Sequence, residues 1–142
     1  MVENLVYSKF NFRTVLYDYN IELKSRLTLV TNESGFGKTL LYKALQDYAV
    51  LYHCANIYFY NYTMPKEESA KFLFKENTLV VIDNASIMID NLEALHIALN
   101  VKTQYLIFTH TADVYKYKPT FRNIAVLKKD KNGEVVTLKY MG

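Results

Sequence analysis

The chain has 142 residues, of which 51% are hydrophobic and 22% are charged. This composition excludes a disordered chain and fits one domain, residues 1–142, that folds without disulfides. The net charge of +3 is small, so nucleic-acid binding is a weakly supported alternative that depends on a basic, tyrosine-containing stretch at residues 116–131. No apolar run approaches the roughly 18 residues of a membrane span, and a single cysteine, Cys54, suits a reducing compartment. We therefore expect a cytoplasmic protein without membrane insertion.

The first predicted elements are two strands at residues 4–12 and 14–24, joined by a short turn near Arg13. We expect them to form an antiparallel β layer ahead of a third strand at residues 27–31.

The third strand runs into a loop and then a helix at about residues 38–51, the order typical of a phosphate-binding P-loop. The loop contains two of the four glycines of the chain, and Lys38 and Thr39 follow at once. Its amides and Lys38 are expected to bind the phosphates of a nucleoside triphosphate, and the Thr39 hydroxyl to bind Mg²⁺. The predicted nucleotide-binding residues are Asn32, Glu33, Ser34, Gly35, Phe36, Gly37, Lys38, Thr39 and Leu40. Asn32 replaces the usual first glycine, and the alternative interpretation is a chance glycine-containing turn.

The middle of the chain continues the alternation of strands and helices. We predict a strand at residues 57–62, a helix that starts within residues 63–68 and ends near Asn77, and a buried strand at 79–82 that is followed by Asp83. Asp90 and Glu93 form the pattern of a capping box at the start of a third helix.

The remaining elements are predicted from apolar patterns and turn signals. Leu92, Leu95 and Leu99 give the third helix one apolar stripe. A further buried strand at residues 105–108 ends at Thr109 and His110. Strands at 124–127 and 135–138 flank an Asn-Gly pair, which is a strong hairpin signal.

This order of elements predicts an α/β, three-layer P-loop NTPase fold. Its central sheet would be mainly parallel, with the N-terminal antiparallel β layer and the C-terminal β-hairpin attached to it. Ligands bind such sheets at the carboxyl ends of the strands, where the P-loop, Asp83-Asn84 and Thr109-His110 would meet. An acid after four apolar residues is typical of a Walker B motif, in which Asp83 would hold Mg²⁺ opposite Thr39. The alternative interpretation is an Asp that only caps a strand.

Together these motifs resemble the nucleotide-binding domain of ABC-type ATPases. Residues 82–90 read Ile-Asp-Asn-Ala-Ser-Ile-Met-Ile-Asp and are similar to the family's Leu-Asp-Glu-Pro-Thr-Ser-x-Leu-Asp. Residues 107–110 are similar to the family's H-loop with its switch histidine, and Phe10-Asn11-Phe12 lies where the family has an adenine-stacking aromatic. The resemblance implies ATP with Mg²⁺ as ligand, Phe12 as the adenine contact, and Asn84 and His110 at the catalytic positions.

The chain departs from this family in ways that weaken turnover. Asn84 stands at the position of the catalytic Glu and cannot accept a proton from water. Only 45 positions (83 − 38) separate Lys38 from Asp83, and this interval holds no Leu-Ser-Gly-Gly signature and no Q-loop glutamine, for which Asn61 is the nearest substitute. The family closes its site with the signature of a partner chain, so the resemblance implies a protein partner or a homodimer that completes the site.

We therefore expect an ATP- and Mg-binding P-loop protein, an ABC-like core with weak or absent hydrolysis. The alternative is a non-enzymatic nucleotide-sensing or scaffold module that acts with a partner protein. A small nucleotide or metabolite kinase is less favoured, because the chain has only three arginines and no Arg-rich lid segment.

Overall fold

The computed structural model describes residues 5–32, 37–61, 72–85, 90–110 and 123–141. Within these ranges the chain forms eight strands and two helices. They are β1 (Lys9–Arg13), β2 (Asp18–Glu22), β3 (Leu27–Asn32), α1 (Lys38–Leu51), β4 (Ile57–Tyr60), β5 (Leu79–Ile82), α2 (Asn91–Leu99), β6 (Gln104–His110), β7 (Ile124–Lys129) and β8 (Val135–Tyr140). All eight strands join one sheet in the spatial order β1-β2-β8-β7-β3-β6-β5-β4.

The predicted three-layer P-loop NTPase fold with a mainly parallel sheet is wrong. The described chain is mostly strand, and its sheet is mixed: β1 with β2 and β7 with β8 pair antiparallel. The N-terminal strands do not form a separate layer, because β2 pairs in parallel with β8 and so extends the same sheet. The hairpin β7–β8 connects the N-terminal strands to the central strands, because β8 pairs with β2 and β7 pairs with β3. Its strands complete backbone hydrogen bonds that β2 and β3 would otherwise leave open.

The centre of the sheet is covered on both of its faces. Successive side chains of a strand point to opposite faces, and β3 and β6 follow this rule. Val30 and Phe108 cluster with residues of α1, whereas Leu29 and Ile107 cluster with residues of α2. The two helices therefore lie on opposite faces of the central strands β3, β6 and β5.

Helix α2 begins as the sequence predicts but presents a different face to the sheet. The capping box is confirmed, with the Glu93 amide donating to Asp90 Oδ1 at 2.7 Å. The stripe of Leu92, Leu95 and Leu99 is not buried, since these residues are 61%, 44% and 68% exposed. The residues that α2 buries against the sheet are Ala94 and Ile97.

The second predicted helix is wrong in the part that can be compared. Residues 62–71 lie outside the described ranges, and residues 72–77 form turns instead of a helix. The predicted Tyr62 end of the fourth strand also lies outside these ranges. Of the helices that the described residues form, neither has the length and apolar character needed to span a bilayer.

The predicted C-terminal hairpin is present, with strands two residues longer than expected at their carboxyl ends. Its turn depends on Asp130, whose Oδ1 accepts the amides of Glu134 at 2.8 Å and Val135 at 3.1 Å. Gly133 has φ of 68°, a left-handed conformation that glycine adopts without steric cost. The Asn-Gly signal therefore belongs to a longer loop than a two-residue turn.

Candidate functional site

The first turn of α1 carries the two polar side chains that the sequence analysis emphasises. Gly37 is the N-cap of this helix and has φ of 94°. A Cβ at this position would meet no atom within 4 Å, so the backbone conformation, and not crowding, favours glycine here. Lys38 and Thr39 then occupy the first helical positions, where helix amides point along the axis and the positive end of the dipole favours an anion.

A hydrogen bond connects this turn to the end of β5. Thr39 Oγ1 donates to Asp83 Oδ2 at 3.0 Å, across a sequence separation of 44 residues. Asp83 directly follows β5, and Thr39 lies in the helix that comes after β3 in the chain. Strands β3 and β5 are close because each pairs in parallel with β6, which lies between them. The structure thus brings together the hydroxyl and the carboxylate that the sequence analysis assigns to one Mg²⁺ site.

Asp83 is nearly inaccessible, with 4% of its surface exposed. Its backbone amide donates to the carbonyl of Tyr60 at 3.0 Å, which extends the pairing of β4 and β5 by one residue. Its second carboxylate oxygen, Oδ1, accepts the amide of Asn84 at 3.0 Å. These contacts hold the carboxylate in one orientation, with its Oδ2 turned toward the first turn of α1.

Lys38 lies in the electrostatic field of the same carboxylate. Partial burial lowers the pKa of the Lys38 ammonium, and the negative charge of Asp83 acts in the opposite direction. An ammonium that has lost part of its hydration interacts more strongly with a phosphate that enters the same region. The charge of Lys38 is therefore placed to serve both the carboxylate and an anionic ligand.

Asn84, which stands at the position of the family's catalytic Glu, has φ of 52°. This left-handed conformation costs most side chains roughly 1–2 kcal/mol, and Asn is among the few residues that adopt it readily. The backbone thus supplies a local reason for Asn at this position. Its side chain is half-buried next to Asp83.

His110 lies at the carboxyl end of β6 and is exposed. The register of β3 and β6 pairs it with Asn32, the last residue before the loop. This register places His110 beside the start of the loop, at the same edge of the sheet as Asp83. Thr109, directly before it, is buried, so the strand passes from the core to the surface between these two residues.

Phe12, the predicted adenine contact, packs within an aromatic group. Its ring stacks on Tyr19 at 5.1 Å and lies against Tyr48 of α1 at 4.9 Å. Tyr48 is ten positions after Lys38, about 15 Å along the helix from the first turn. Phe10, beside it, is fully buried, and the structure thus gives both phenylalanines core neighbours.

Tyr17, in contrast, lies close to Gly37, the N-cap of α1. Together with Tyr19, Gly37, Leu127, Lys129 and Val136 it lines a narrow cleft of about 20 Å³. Lys129 Nζ lies 4.8 Å from the centre of the Tyr17 ring, within the range of a cation–π contact. The family resemblance points to Phe12 and gives no signal for Tyr17 or Lys129, because the pairing of β8 with β2 that brings these two residues together has no local pattern.

Two further polar groups lie near Asp83. Asn61, at the end of β4, donates through Nδ2 to the hydroxyl of Tyr42 at 3.3 Å. Burial raises the pKa of Tyr42, and the Asp83 carboxylate adds to this effect. Asn61, the proposed Q-loop substitute, is therefore near the same carboxylate. The sequence gives no signal that Tyr42 belongs to this site, because Tyr42 also fits the apolar face of α1.

Part of the predicted site cannot be compared. Glu33, Ser34, Gly35 and Phe36 lie outside the described residues, as does the side chain of Asn32. Leu40 is exposed on α1 and contributes no polar side chain. Within the described ranges no three His, Cys, Asp or Glu side chains form a metal-binding group.

No protein-family model matches this chain, and a search of curated proteins found no relative.

Proposed function

We propose that this protein binds a nucleoside triphosphate, ATP by the resemblance of its motifs, together with Mg²⁺ at the Lys38, Thr39 and Asp83 corner. Hydrolysis is slow or absent. The observation that carries the proposal is the 3.0 Å hydrogen bond from Thr39 Oγ1 to Asp83 Oδ2. The proposal concerns this local strand, loop and helix arrangement and is independent of the three-layer fold.

The oxygen donors at this corner fit Mg²⁺. A small divalent cation that retains several waters needs only one or two protein oxygens beside the phosphates, and Thr39 and Asp83 supply a hydroxyl and a carboxylate. The bound ion would supply neutralisation of charge on the phosphate oxygens. Lys38 would bind phosphate oxygens directly, and the backbone amides at the start of α1 would donate hydrogen bonds to the same anion.

The residue after Asp83 favours binding over turnover. Asn84 can orient a water through its amide but cannot remove a proton from it. Its left-handed backbone also opposes replacement by most other side chains. These two properties support the second candidate function, a nucleotide-sensing or scaffold module that acts with a partner protein.

Within this proposal Tyr17 is a better candidate than Phe12 for the side chain that stacks on the nucleotide base. Tyr17 borders Gly37, and its ring already accepts a cation–π contact from Lys129. The cleft of about 20 Å³ has room for roughly one water, so a base would stack on the open side of the ring instead of entering the cleft.

We also retain a cytoplasmic location as a proposal, for which the single free cysteine is the support.

The proposal is tested by calorimetric titration of the full chain with ATP, GTP and inorganic triphosphate, each with and without Mg²⁺. We expect ATP to bind, and Mg²⁺ to strengthen binding at least tenfold. In Thr39→Val the Mg²⁺ effect should fall while binding without metal is retained, because only the hydroxyl is removed.

Thr14→Val is the matched control, since its hydroxyl serves the β1–β2 turn. Phosphate release, measured in the same samples, separates an enzyme from a binder. Equal affinity with and without Mg²⁺ in the wild type would contradict the assignment of Thr39 and Asp83 to a metal.

A further inference from the structure

Helix α2 has an apolar face toward the sheet and a second apolar face toward solvent. Ala94 and Ile97 are buried in the core, whereas Leu92, Leu95 and Leu99 are exposed. An apolar stripe on a helix normally packs against a neighbour instead of facing water. The capping box fixes where this helix begins, so the outward direction of the leucines follows from the register of α2 on the sheet.

The apolar surface continues beyond the helix itself. Phe74 and Leu99 line a shallow groove of about 320 Å³ with His96 and Asn100, and the Phe74 and His96 rings lie 6.5 Å apart. Val101, directly after the helix, is also exposed. We refer to Leu92, Leu95, Leu99, Phe74 and Val101 as the outer α2 surface.

The size of this surface is close to what a specific contact requires. From the exposed fractions of its five residues, the outer α2 surface offers on the order of 500 Å² per copy, the size of the largest apolar patch on a typical monomer, which is often a functional surface. Two such surfaces together would bury about 1,000 Å², the lower limit for a specific interface. A contact of this size is expected to be weak and dependent on protein concentration.

The charges at the two ends of α2 suit a second copy of the same helix. Asp90 and Glu93 lie at its N-terminal end, and Lys102 lies beyond its C-terminal end, where it forms an exposed ion pair with Glu76. In an antiparallel pair about a two-fold axis, Asp90 of each helix comes near Lys102 of the other, and the helix dipoles also oppose. The ion pair of Lys102 with Glu76 is exposed and therefore contributes little to stability, so Lys102 can exchange it for this contact.

We infer that the outer α2 surface is a self-association interface, on which a second copy of this chain packs its own α2 antiparallel. With the axis between Leu95 and His96, Leu92 of one copy meets Leu99 of the other. This interface is separate from the nucleotide corner, because α1 and α2 lie on opposite faces of the sheet.

The first experiment is sedimentation velocity of the full chain over rising protein concentration. The wild type should shift from the mass of a monomer toward that of a dimer. Leu95→Glu should remain monomeric at every concentration, with an unchanged circular dichroism spectrum, because its side chain is exposed. Val50→Glu, at an exposed apolar residue of α1, is the matched control and should behave as the wild type.

The second experiment tests the antiparallel arrangement by cysteine crosslinking in a Cys54→Ser background. Leu95→Cys, next to the axis, should form a dimer by mild oxidation. Leu92→Cys alone should not, because two copies of residue 92 would be roughly 10 Å apart along the helix axis, too far for a disulfide. An equal mixture of Leu92→Cys and Leu99→Cys should crosslink.

Three outcomes would overturn the inference. A wild type that remains monomeric up to its solubility limit means that another segment or a different protein covers this surface. Equal loss of dimer in Leu95→Glu and Val50→Glu places the contact elsewhere. Crosslinking of Leu92→Cys as efficient as that of Leu95→Cys excludes the antiparallel arrangement.

Discussion

Helices α1 and α2 cover opposite faces of one sheet but differ in how they divide polar and apolar groups. In its middle turns α1 buries its large apolar residues, and its polar functional groups Lys38 and Thr39 are gathered at its first turn. Helix α2 buries small or β-branched residues and leaves its leucines outside. The comparison teaches that an apolar stripe identifies a face that needs cover, but not which neighbour provides it. We therefore propose ligand binding at the first turn of α1 and protein contact at the outer face of α2.

The largest expected effect separates the inner face of α1 from the outer face of α2. Leu45→Ala removes a fully buried side chain of α1 and should lower the free energy of unfolding by about 3 kcal/mol, since it leaves a cavity in the core. Leu95→Ala should change it by less than about 0.5 kcal/mol. Urea denaturation at low protein concentration measures both, and equal losses would show that the leucine stripe of α2 is part of the core.

A second effect distinguishes the carboxyl ends of the two helices. The last turn of α1 has no basic residue, whereas the guanidinium of Arg26 donates to the carbonyls of Ile97, Ala98 and Asn100 at the end of α2. It also donates to the carbonyl of Thr103 at 3.2 Å. Arg26→Met should therefore lower the free energy of unfolding by about 2 kcal/mol, because these carbonyls lose a charged donor.

The control for Arg26 is Arg13→Met, on the exposed side of β1. Its free energy of unfolding should match that of the wild type within about 0.5 kcal/mol. If both variants lose the same amount, the clamp on the end of α2 contributes nothing beyond a surface charge.

The smallest effect concerns the β7–β8 turn, a reference site that belongs to neither helix. Hydrogen bonds from the amides of Val135 and Glu134 hold the pKa of Asp130 below its usual value of 3.8. A carboxyl with a lowered folded pKa stabilises the fold above pH of about 4, and this contribution is lost as the pH falls through the folded pKa. The advantage of the wild type over Asp130→Asn should thus be present at pH 6 and diminish toward pH 2. Thermal unfolding measures it, and an advantage that grows with acid would contradict the account.

Local signals predicted most elements of this fold, but they did not predict how the elements meet. The capping box of Asp90, the Asn-Gly hairpin signal and the apolar run at residues 79–82 each act within a few residues, and each corresponds to an observed element. The pairing of β2 with β8 joins residues more than a hundred positions apart. Because both strands alternate apolar and polar residues, no pattern selects this partner over another.

The candidate site divides in the same way. The proximity of Thr39 and Asp83 could be predicted, because residues that follow parallel strands meet at one edge of the sheet. The neighbours of Phe12 and Tyr17 could not, since Tyr48 comes from α1 and Lys129 from the hairpin. The direction of the α2 leucines was missed because α2 has two apolar faces and periodicity alone does not rank them.

The most direct test of the central claim is calorimetric titration of Mg-ATP into the wild type, Lys38→Ala and Lys43→Ala. Lys43 is an exposed lysine of the same helix and serves as the matched control. We predict that the wild type and Lys43→Ala bind with the same affinity and that Lys38→Ala binds at least tenfold more weakly, with an unchanged melting temperature in the absence of ligand. Equal binding by all three proteins, or no heat and no thermal shift of the wild type at millimolar Mg-ATP, would contradict a nucleotide site at this corner.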